Sequence, residues 1–396
     1  MMLTLETIEG GLMYYKAYKF RIYPDEEQKN LINKTLGCTR FVYNYFLNMI
    51  KENSYKKASD NIKYYTHYLK YEYPFLQEVD SITIRTALFN LEDSYKRFFS
   101  KQVGYPKFKS KFNKNSYNTS AVYSTYKNNN YCNIEIDLEN RTIKLPKLKK
   151  MKIRGYRNIK SINGRIINAT ISKEPNGKYY VSVLFEMSEK VKEVTPASIV
   201  GIDLGAKKLL TLSDGIVYKN NKYILKYEKR IKRMQKALSR KVKGSENYKK
   251  CKLKLAKLHS KLANARKYYI HKITKNITDE YDMITCEKLH TKEMIINGKK
   301  SKLSKKINDA SFNEILRQLE YKSKFKGKQF YQIFDYYPSS QTCSRCDNLE
   351  KKHKNLNERE YECTKCHLKM DRDLNASINI MFEGVKMYIK KYCSNC

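Results

Sequence analysis

The stretch CTKCHLKMDRDLNASINI, residues 363–380, places two kinds of metal ligand within one short run. The thiols of Cys363 and Cys366 suit zinc, whereas the carboxylates of Asp371 and Asp373 suit magnesium or manganese. Because soft and hard ligands prefer different ions, we expect two separate sites. One site should extend towards earlier cysteines, and the other should lie at the start of the helix that DLNASINI predicts.

Two CxxC pairs form the predicted zinc site. Sixteen residues separate the pair Cys343 and Cys346 from the pair Cys363 and Cys366, a spacing typical of two knuckles that share one tetrahedral zinc ion. Four thiolates leave no open position, so this zinc would be structural. A site that has lost its metal and a pair of redox thiols are the alternatives. The adjacent His367 is expected to face solvent.

The remaining cysteines are expected to be free thiols. Cys393 and Cys396 have no second pair with which to complete a metal site. Four others lie within apolar or helical patterns that favour burial. These are Cys38, Cys132, Cys251 and Cys286.

Three carboxylates are candidates for the second metal site. Asp203 lies in the apolar strand pattern VGIDLG, Glu287 lies in MITCEKL, and Asp373 begins the helical pattern. A charged group in a core strand costs several kcal/mol unless it is neutralised. A Lys or Arg partner is one solution. A shared divalent ion is the other, because clustered carboxylates raise one another's pKa unless a cation lies between them. Asp371 competes as the third ligand, but we expect it to cap the helix.

The order of these segments is typical of an RNase H-like nuclease. Antiparallel strands with Asp203 precede a helical insertion, a strand with Glu287, and a helix with Asp373. In such a centre, two magnesium ions activate water and stabilise the leaving oxygen of a phosphodiester. We therefore predict that these three residues are catalytic and bind magnesium or manganese.

The charge balance indicates a polyanionic partner. Lys and Arg number 80 against 40 Asp and Glu, a formal charge of +40. An AT-rich genome would favour Lys, but it would favour Glu about as readily, so codon bias alone does not explain the excess. Such a surface attracts nucleic acid in a salt-dependent way. The sequence shows neither a membrane-spanning run nor a signal-peptide pattern, and we expect a cytoplasmic protein with no membrane partner.

The hydrophobic periodicity predicts an α/β protein with additional β-barrel and helical domains. An Asn176–Gly177 hairpin turn and a helical pair that turns at Gly244–Ser245 are part of this prediction. We place the apolar stripe of the helical pair at Tyr227, Ile231, Met234, Leu238, Leu253, Leu255, Leu258 and Leu262. The predicted domains are the first barrel strand or strands (1–24), an inserted helical domain (25–114), the rest of the barrel (115–195), a nuclease core with a basic helical hairpin (196–340), a zinc ribbon (341–368), and a last helix with a tail (369–396).

Several basic and aromatic residues are candidates for contact with nucleic acid. The connector YPKFKSKF alternates aromatic and basic side chains, which suits base stacking and an aromatic-anchored loop about equally. The predicted contacts are Arg40, Tyr45, Arg85, Lys107, Lys109, Lys111, Arg233 and Lys241.

Several of these motifs together resemble the TnpB family of transposon-associated RNA-guided DNA nucleases. They are KAYKFRIYP, LGCTRFVYNYFL, YPKFKSKF, GIDLG, KLAKLH, RQLEYK, YYPSSQTCSRC and DRDLNASINI. The resemblance implies a RuvC nuclease core with an inserted zinc ribbon that binds target nucleic acid, a wedge-type barrel, and a helical recognition domain. It implies the same catalytic acids and zinc ligands, a guide RNA from the transposon end, and a double-stranded DNA target beside a short flanking motif.

Four positions depart from the usual pattern of that family, although none is a predicted metal ligand. They are Lys207, Lys288, Asp347 and Tyr361. We expect an RNA-guided, magnesium-dependent DNA endonuclease with a single RuvC site. The alternatives are a compact type V CRISPR effector, a guide-directed repressor that does not cleave, and a transposase that joins DNA ends.

Overall fold

The computed structural model describes residues 7–8, 11–12, 14–52, 58–113, 115–126, 129–155, 162, 164–187, 191–205, 208–289, 310–334, 337–350 and 359–392. The predictions for Lys207, Cys393 and Cys396 lie outside these residues. The chain divides into two compact units, Met1–Lys190 and Val191–Cys396.

The described strands of the first unit are β1 (Thr7–Ile8), β2 (Gly11–Leu12), β3 (Tyr15–Tyr23), β4 (Asn115–Ser120), β5 (Tyr123–Tyr126), β6 (Asn129–Cys132), β7 (Glu135–Asp137), β8 (Thr142–Leu145), β9 (Lys149–Arg154), β10 (Gly164–Lys173) and β11 (Tyr179–Met187). Seven of them form an antiparallel sheet in the order β4-β10-β11-β3-β9-β8-β7. Two further strand pairs, β1 with β2 and β5 with β6, lie outside this sheet.

The first strand of the sheet comes from far away in the chain. β3 pairs with β11 and β9, so residues that precede the helices join strands that follow them. The predicted hairpin at Asn176–Gly177 is confirmed, since it connects β10 to β11 and Gly177 has a φ of +80°. Alternating side chains of β11 are buried, which explains the period-2 pattern of its sequence.

The segment between β3 and β4 is helical and has its own core. Its elements are α1 (Glu26–Glu52), α2 (Ala58–Tyr64), a π-helix (Tyr65–Leu69), α3 (Lys70–Glu72), a 3-10 helix (Pro74–Glu78) and α4 (Ser81–Phe99). Val42, Phe46, Leu88 and Leu91 pack together at helical spacing. Asp80 caps α4 by accepting a hydrogen bond from the Ile82 amide.

The described elements of the second unit are β12 (Ile199–Leu204), β13 (Lys208–Leu212), β14 (Val217–Lys219), α5 (Tyr223–Ser239), α6 (Glu246–Glu280), β15 (Met283–Cys286), α7 (Phe312–Phe325), β16 (Gln329–Gln332), β17 (Glu360–Glu362), β18 (Lys369–Asp371) and α8 (Arg372–Tyr392). Five of the strands form a sheet in the order β14-β13-β12-β15-β16. β12, β13 and β14 are antiparallel neighbours, whereas β12, β15 and β16 are parallel.

Two glycines allow α8 to lie directly on the central strands of this sheet. A Cβ added to Gly201 of β12 would lie 2.5 Å from the Met381 nitrogen of α8. A Cβ added to Gly384 of α8 would lie 2.5 Å from Cγ2 of Thr285 in β15. Real side chains do not approach this closely, so the contact requires glycine at both positions.

The predicted turn between the two long helices is confirmed. Gly244 has a φ of +93°, and Ser245 caps α6 by accepting a hydrogen bond from the Tyr248 amide. The predicted apolar stripe was wrong at Leu253, which is exposed. Cys251 is buried instead, because positions 251, 255, 258 and 262 share one face of the helix and position 253 lies opposite.

Across the described residues, no helix is both long enough and apolar enough to cross a membrane.

Candidate functional site

The structure places two of the predicted acids on neighbouring parallel strands. Asp203 lies near the end of β12, and Glu287 follows the last residue of β15. Ile202 is the register partner of Cys286. The next residues along the two strands, Asp203 and Glu287, therefore lie side by side. Parallel neighbours present their carboxyl ends at the same edge of a sheet, where ligands commonly bind.

The third acid comes from the helix that crosses these strands. Asp373 is the second residue of α8, and only 15% of its side chain is exposed. The predicted role of Asp371 as the cap is confirmed, because its Oδ1 accepts hydrogen bonds from the amides of Asp373 (3.0 Å) and Leu374 (3.2 Å).

The charges of Glu287 and Asp373 act on Asp203. Burial, followed by the charges of Glu287 and Asp373, raises the pKa of Asp203 well above its usual range. The charge of Arg372 opposes that shift. Burial also raises the pKa of Glu287, against a hydrogen bond from the Ser339 hydroxyl. A bound cation would relieve the repulsion that Glu287 and Asp373 exert on Asp203.

Two basic side chains lie against Asp373. Lys208 Nζ is 3.5 Å from Asp373 Oδ2, and it donates to Asp371 Oδ2 at 2.6 Å. Arg359 Nη1 is 3.7 Å from Asp373 Oδ2. Burial lowers the pKa of Lys208, but its two Asp partners raise it by more, so the net shift is upward. Sequence reasoning missed both cations, since each is distant from Asp373 in the chain.

The chemistry of this donor set fits a hard divalent ion. Three carboxylates offer oxygen ligands, the kind that magnesium and manganese prefer. Among the described residues, only four cysteines form a set whose ligand atoms all lie within 4.8 Å of one another. The oxygens of the three carboxylates are therefore spaced more widely than that. Asp203, Glu287 and Asp373 would hold the ion, and it would supply water activation and charge neutralisation.

The four cysteines have the geometry of a zinc site. Cys343 and Cys366 sulfurs are 3.5 Å apart, and those of Cys346 and Cys363 are 3.6 Å apart. Tetrahedral Zn–S bonds of about 2.3 Å would place the sulfurs roughly 3.8 Å apart. The predicted cluster of four thiols is therefore present, and His367 is exposed as expected.

The two knuckles have matching backbone hydrogen bonds. The Cys343 amide donates to Asn348 O and the Asp347 amide to Cys343 O. In the second knuckle, the Cys363 amide donates to Leu368 O and the His367 amide to Cys363 O. The residue after each second cysteine has a left-handed φ, +57° at Asp347 and +54° at His367. Such a position favours glycine, so Asp347 adopts this backbone conformation at a steric cost that glycine would avoid.

Buried polar side chains connect the zinc ribbon to α8. Asn375 donates from Nδ2 to Thr342 O at 2.7 Å and accepts from the Ser344 amide at 3.0 Å. Asn379 donates to Ser339 O at 2.8 Å and to Thr342 O at 2.7 Å. Sequence reasoning missed this link. The available signal was the pair of asparagines spaced four apart on the buried face of the helix.

The candidates for nucleic-acid contact fall into two groups. Arg40 and Tyr45 are partly buried, and Tyr45 packs on Phe41, Phe46 and Tyr73. The other six are largely exposed, although Lys109 Nζ lies 3.7 Å from the centre of the Tyr43 ring. These six are Arg85, Lys107, Lys109, Lys111, Arg233 and Lys241.

Known proteins with a similar sequence match nearly the whole chain. A putative RNA-guided DNA endonuclease InsQ of Escherichia coli is 31% identical over 93% of this chain and 92% of its own length. A putative RNA-guided DNA endonuclease of Streptomyces pristinaespiralis is 32% identical over 93% and 89%, respectively. The chain belongs to the TnpB (OrfB) family. The prediction of family membership is thereby confirmed.

Family profiles match three parts of this TnpB-family chain. A probable transposase profile (OrfB) matches residues 182–297, a Cas12f1-like TNB domain matches 312–380, and a helix-turn-helix domain matches 13–58. The fold is similar to that of a Cas12f1-sgRNA-target DNA complex, with a TM-score of 0.51, 14% identity, and coverage of 93% of this chain and 99% of the other.

Proposed function

We propose that this chain, an RNA-guided DNA endonuclease by family, cleaves DNA at one RuvC-type centre in which Asp203, Glu287 and Asp373 hold magnesium or manganese. The observation that carries the proposal is the register of β12 and β15, which sets Asp203 beside Glu287, and the charges of Glu287 and Asp373 both act on Asp203. Three acids from distant parts of the chain therefore share one electrostatic environment. The strand order, with Asp203 on β12 and Glu287 after the parallel β15, supports an RNase H-like core.

The partners in this proposal are a guide RNA from the transposon end and a double-stranded DNA target. The guide would read the target by base pairing, and side chains would read a short flanking motif. The charge of +40 supports binding to both phosphate backbones. We assign the helical segment 25–114 to recognition, segments 1–24 and 115–195 to a wedge-type barrel, and the ribbon at 341–368 to target binding with one structural zinc ion.

Cleavage by the complex with its guide tests the proposal. The RNA that copurifies with the protein is sequenced, and a matched DNA duplex is incubated with the complex and magnesium. We expect D203N, E287Q and D373N each to cut at least about 100-fold more slowly while DNA binding is retained, because each change removes a metal ligand. E246Q is the matched control, since Glu246 is exposed at the start of α6.

A guide-directed repressor is the second candidate function. Lys208 and Arg359 already neutralise Asp373 in part, and such pairing would also stabilise the site if no metal were bound. Wild-type complex that occupies matched DNA fully and leaves it intact would support the repressor and refute the nuclease. A repeat array beside the gene, in place of a transposon end, would support the alternative of a compact type V CRISPR effector.

A further inference from the structure

We propose that Lys208 is a positioning residue that gives Asp371 and Asp373 different tasks: it holds Asp371 as the helix cap, so that Asp373 alone is presented to the metal ion. The inference rests on the proposed function, because it concerns how that metal centre is assembled.

Both carboxylate oxygens of Asp371 are already engaged. Oδ1 accepts two amide hydrogen bonds from the first turn of α8, and Oδ2 accepts from Lys208 Nζ at 2.6 Å. Asp373 is placed differently, because its Oδ2 is 3.5 Å from the same Nζ, beyond normal hydrogen-bond length. Asp371 is also the more exposed of the two side chains, at 39% against 15%. The structure therefore distinguishes two acids that the sequence presents as near equivalents.

Backbone contacts between Gly205 and the start of β13 fix the position of Lys208. Lys208 begins β13, which pairs with the strand that carries Asp203. The Gly205 amide donates to Leu209 O at 3.3 Å, and a Cβ at position 205 would lie 2.5 Å from Lys208 O. Gly205 thus allows the backbone to close beside Lys208. The lysine connects the sheet that carries one proposed ligand to the helix that carries another.

Two roles for Lys208 predict opposite effects on metal affinity. If the lysine were only a neighbouring cation, removing it would strengthen the binding of a divalent ion, because a positive charge close to Asp373 repels that ion. If it positions the turn, removing it frees Asp371 Oδ2 and loosens the cap, so metal binding should weaken. Groups that orient metal ligands typically contribute 10–100-fold in affinity (about one to two powers of ten).

Manganese binding to the full-length, zinc-loaded protein distinguishes these roles. Titration calorimetry would compare wild type with K208M, K208R, D371N, D203N and D373N. We expect K208M to weaken manganese binding about tenfold, D371N to act in the same direction, and K208R to return within about threefold of wild type. K219M is the matched control, because exposed Lys219 is the register partner of Lys208 on β14.

A second readout is the magnesium concentration that gives half-maximal cleavage. We expect K208M to raise it by a similar factor, whereas general destabilisation would lower the amount of active enzyme without shifting it. Manganese binding by K208M that equals or exceeds that of wild type would overturn the inference. A different result, in which D203N and D373N bind manganese as wild type does, would refute the proposed metal centre itself. Melting curves identify any variant that does not fold, and D371N then tests the same link from its other end.

Discussion

Gly384 of α8 lies against Thr285 of β15 so closely that a single added methyl group would meet the threonine side chain. The two elements in contact also carry acids of the proposed centre. Glu287 is two residues after Thr285, and Asp373 lies on α8. The distance between the helix and the sheet therefore controls the relative position of the acids.

Replacing Gly384 with alanine should destabilise the second unit. The Cβ would lie 2.5 Å from Thr285 Cγ2, and overpacking of this kind costs about 1–3 kcal/mol. G37A is a matched control within α1, where an added Cβ meets nothing within 4 Å. That change should be neutral or stabilising by up to about 1 kcal/mol. Thermal melting of both variants measures the difference, and equal melting temperatures would contradict the close packing.

The ribbon should bind zinc more tightly when Asp347 is replaced by glycine. The residue has a φ of +57°, a conformation that glycine adopts without a steric cost. We expect D347G to gain up to about 1 kcal/mol, or roughly fivefold in zinc affinity, and D347A to lose affinity. Competition with a zinc chelator measures both. A glycine variant weaker than the alanine variant would show that the aspartate side chain, and not the backbone, determines this turn.

Loss of one zinc ligand should disturb the acidic centre as well as the ribbon. Asp371 ends β18, the second strand of the ribbon hairpin, and also begins the turn that carries Asp373. Small metal sites generally lose their fold with the metal. We expect C346S to increase amide hydrogen exchange at residues 359–375 and to abolish cleavage. C132S is the control, since Cys132 lies outside the ribbon, and it should have neither effect. Amides at residues 359–375 that stay protected in C346S would show that the acidic centre does not depend on the zinc site.

The contribution of Asp203 to the stability of the protein should fall with rising pH when no divalent ion is present. The folded pKa of Asp203 lies above its unfolded value near 4, so between those values the folded state binds more protons than the unfolded state. The contribution of Asp203 to the free energy of unfolding therefore decreases as pH rises through that window. D203N cannot titrate at this position, so its melting temperature relative to that of wild type should rise as the pH is increased from about 4. A difference in melting temperature that does not change with pH would contradict the raised pKa of Asp203.

Local patterns in the sequence predicted the elements, but not the contacts that join them. VGIDLG and DRDLNASINI carried the acids on the correct elements because a buried strand and an amphipathic helix have clear periodicities. The predicted apolar stripe on α6 was wrong at Leu253, because closely spaced leucines made it difficult to tell which of them face the core. The buried Cys251 was not included in the stripe. Lys208 and Arg359 could not be identified, because an ion pair between residues more than ten apart leaves no periodic signal. The link made by Asn375 and Asn379 could have been predicted, since two side-chain amides on a buried helical face need hydrogen-bond partners.

The most direct test of the central claim is a crystal of the guide-loaded complex soaked in manganese and measured for anomalous scattering. We predict an anomalous peak bounded by carboxylate oxygens of Asp203, Glu287 and Asp373, at coordination distances of about 2.2 Å, with Asp371 still bonded to Lys208. A map without a peak among these acids, with Lys208 and Arg359 remaining against Asp373, would contradict it.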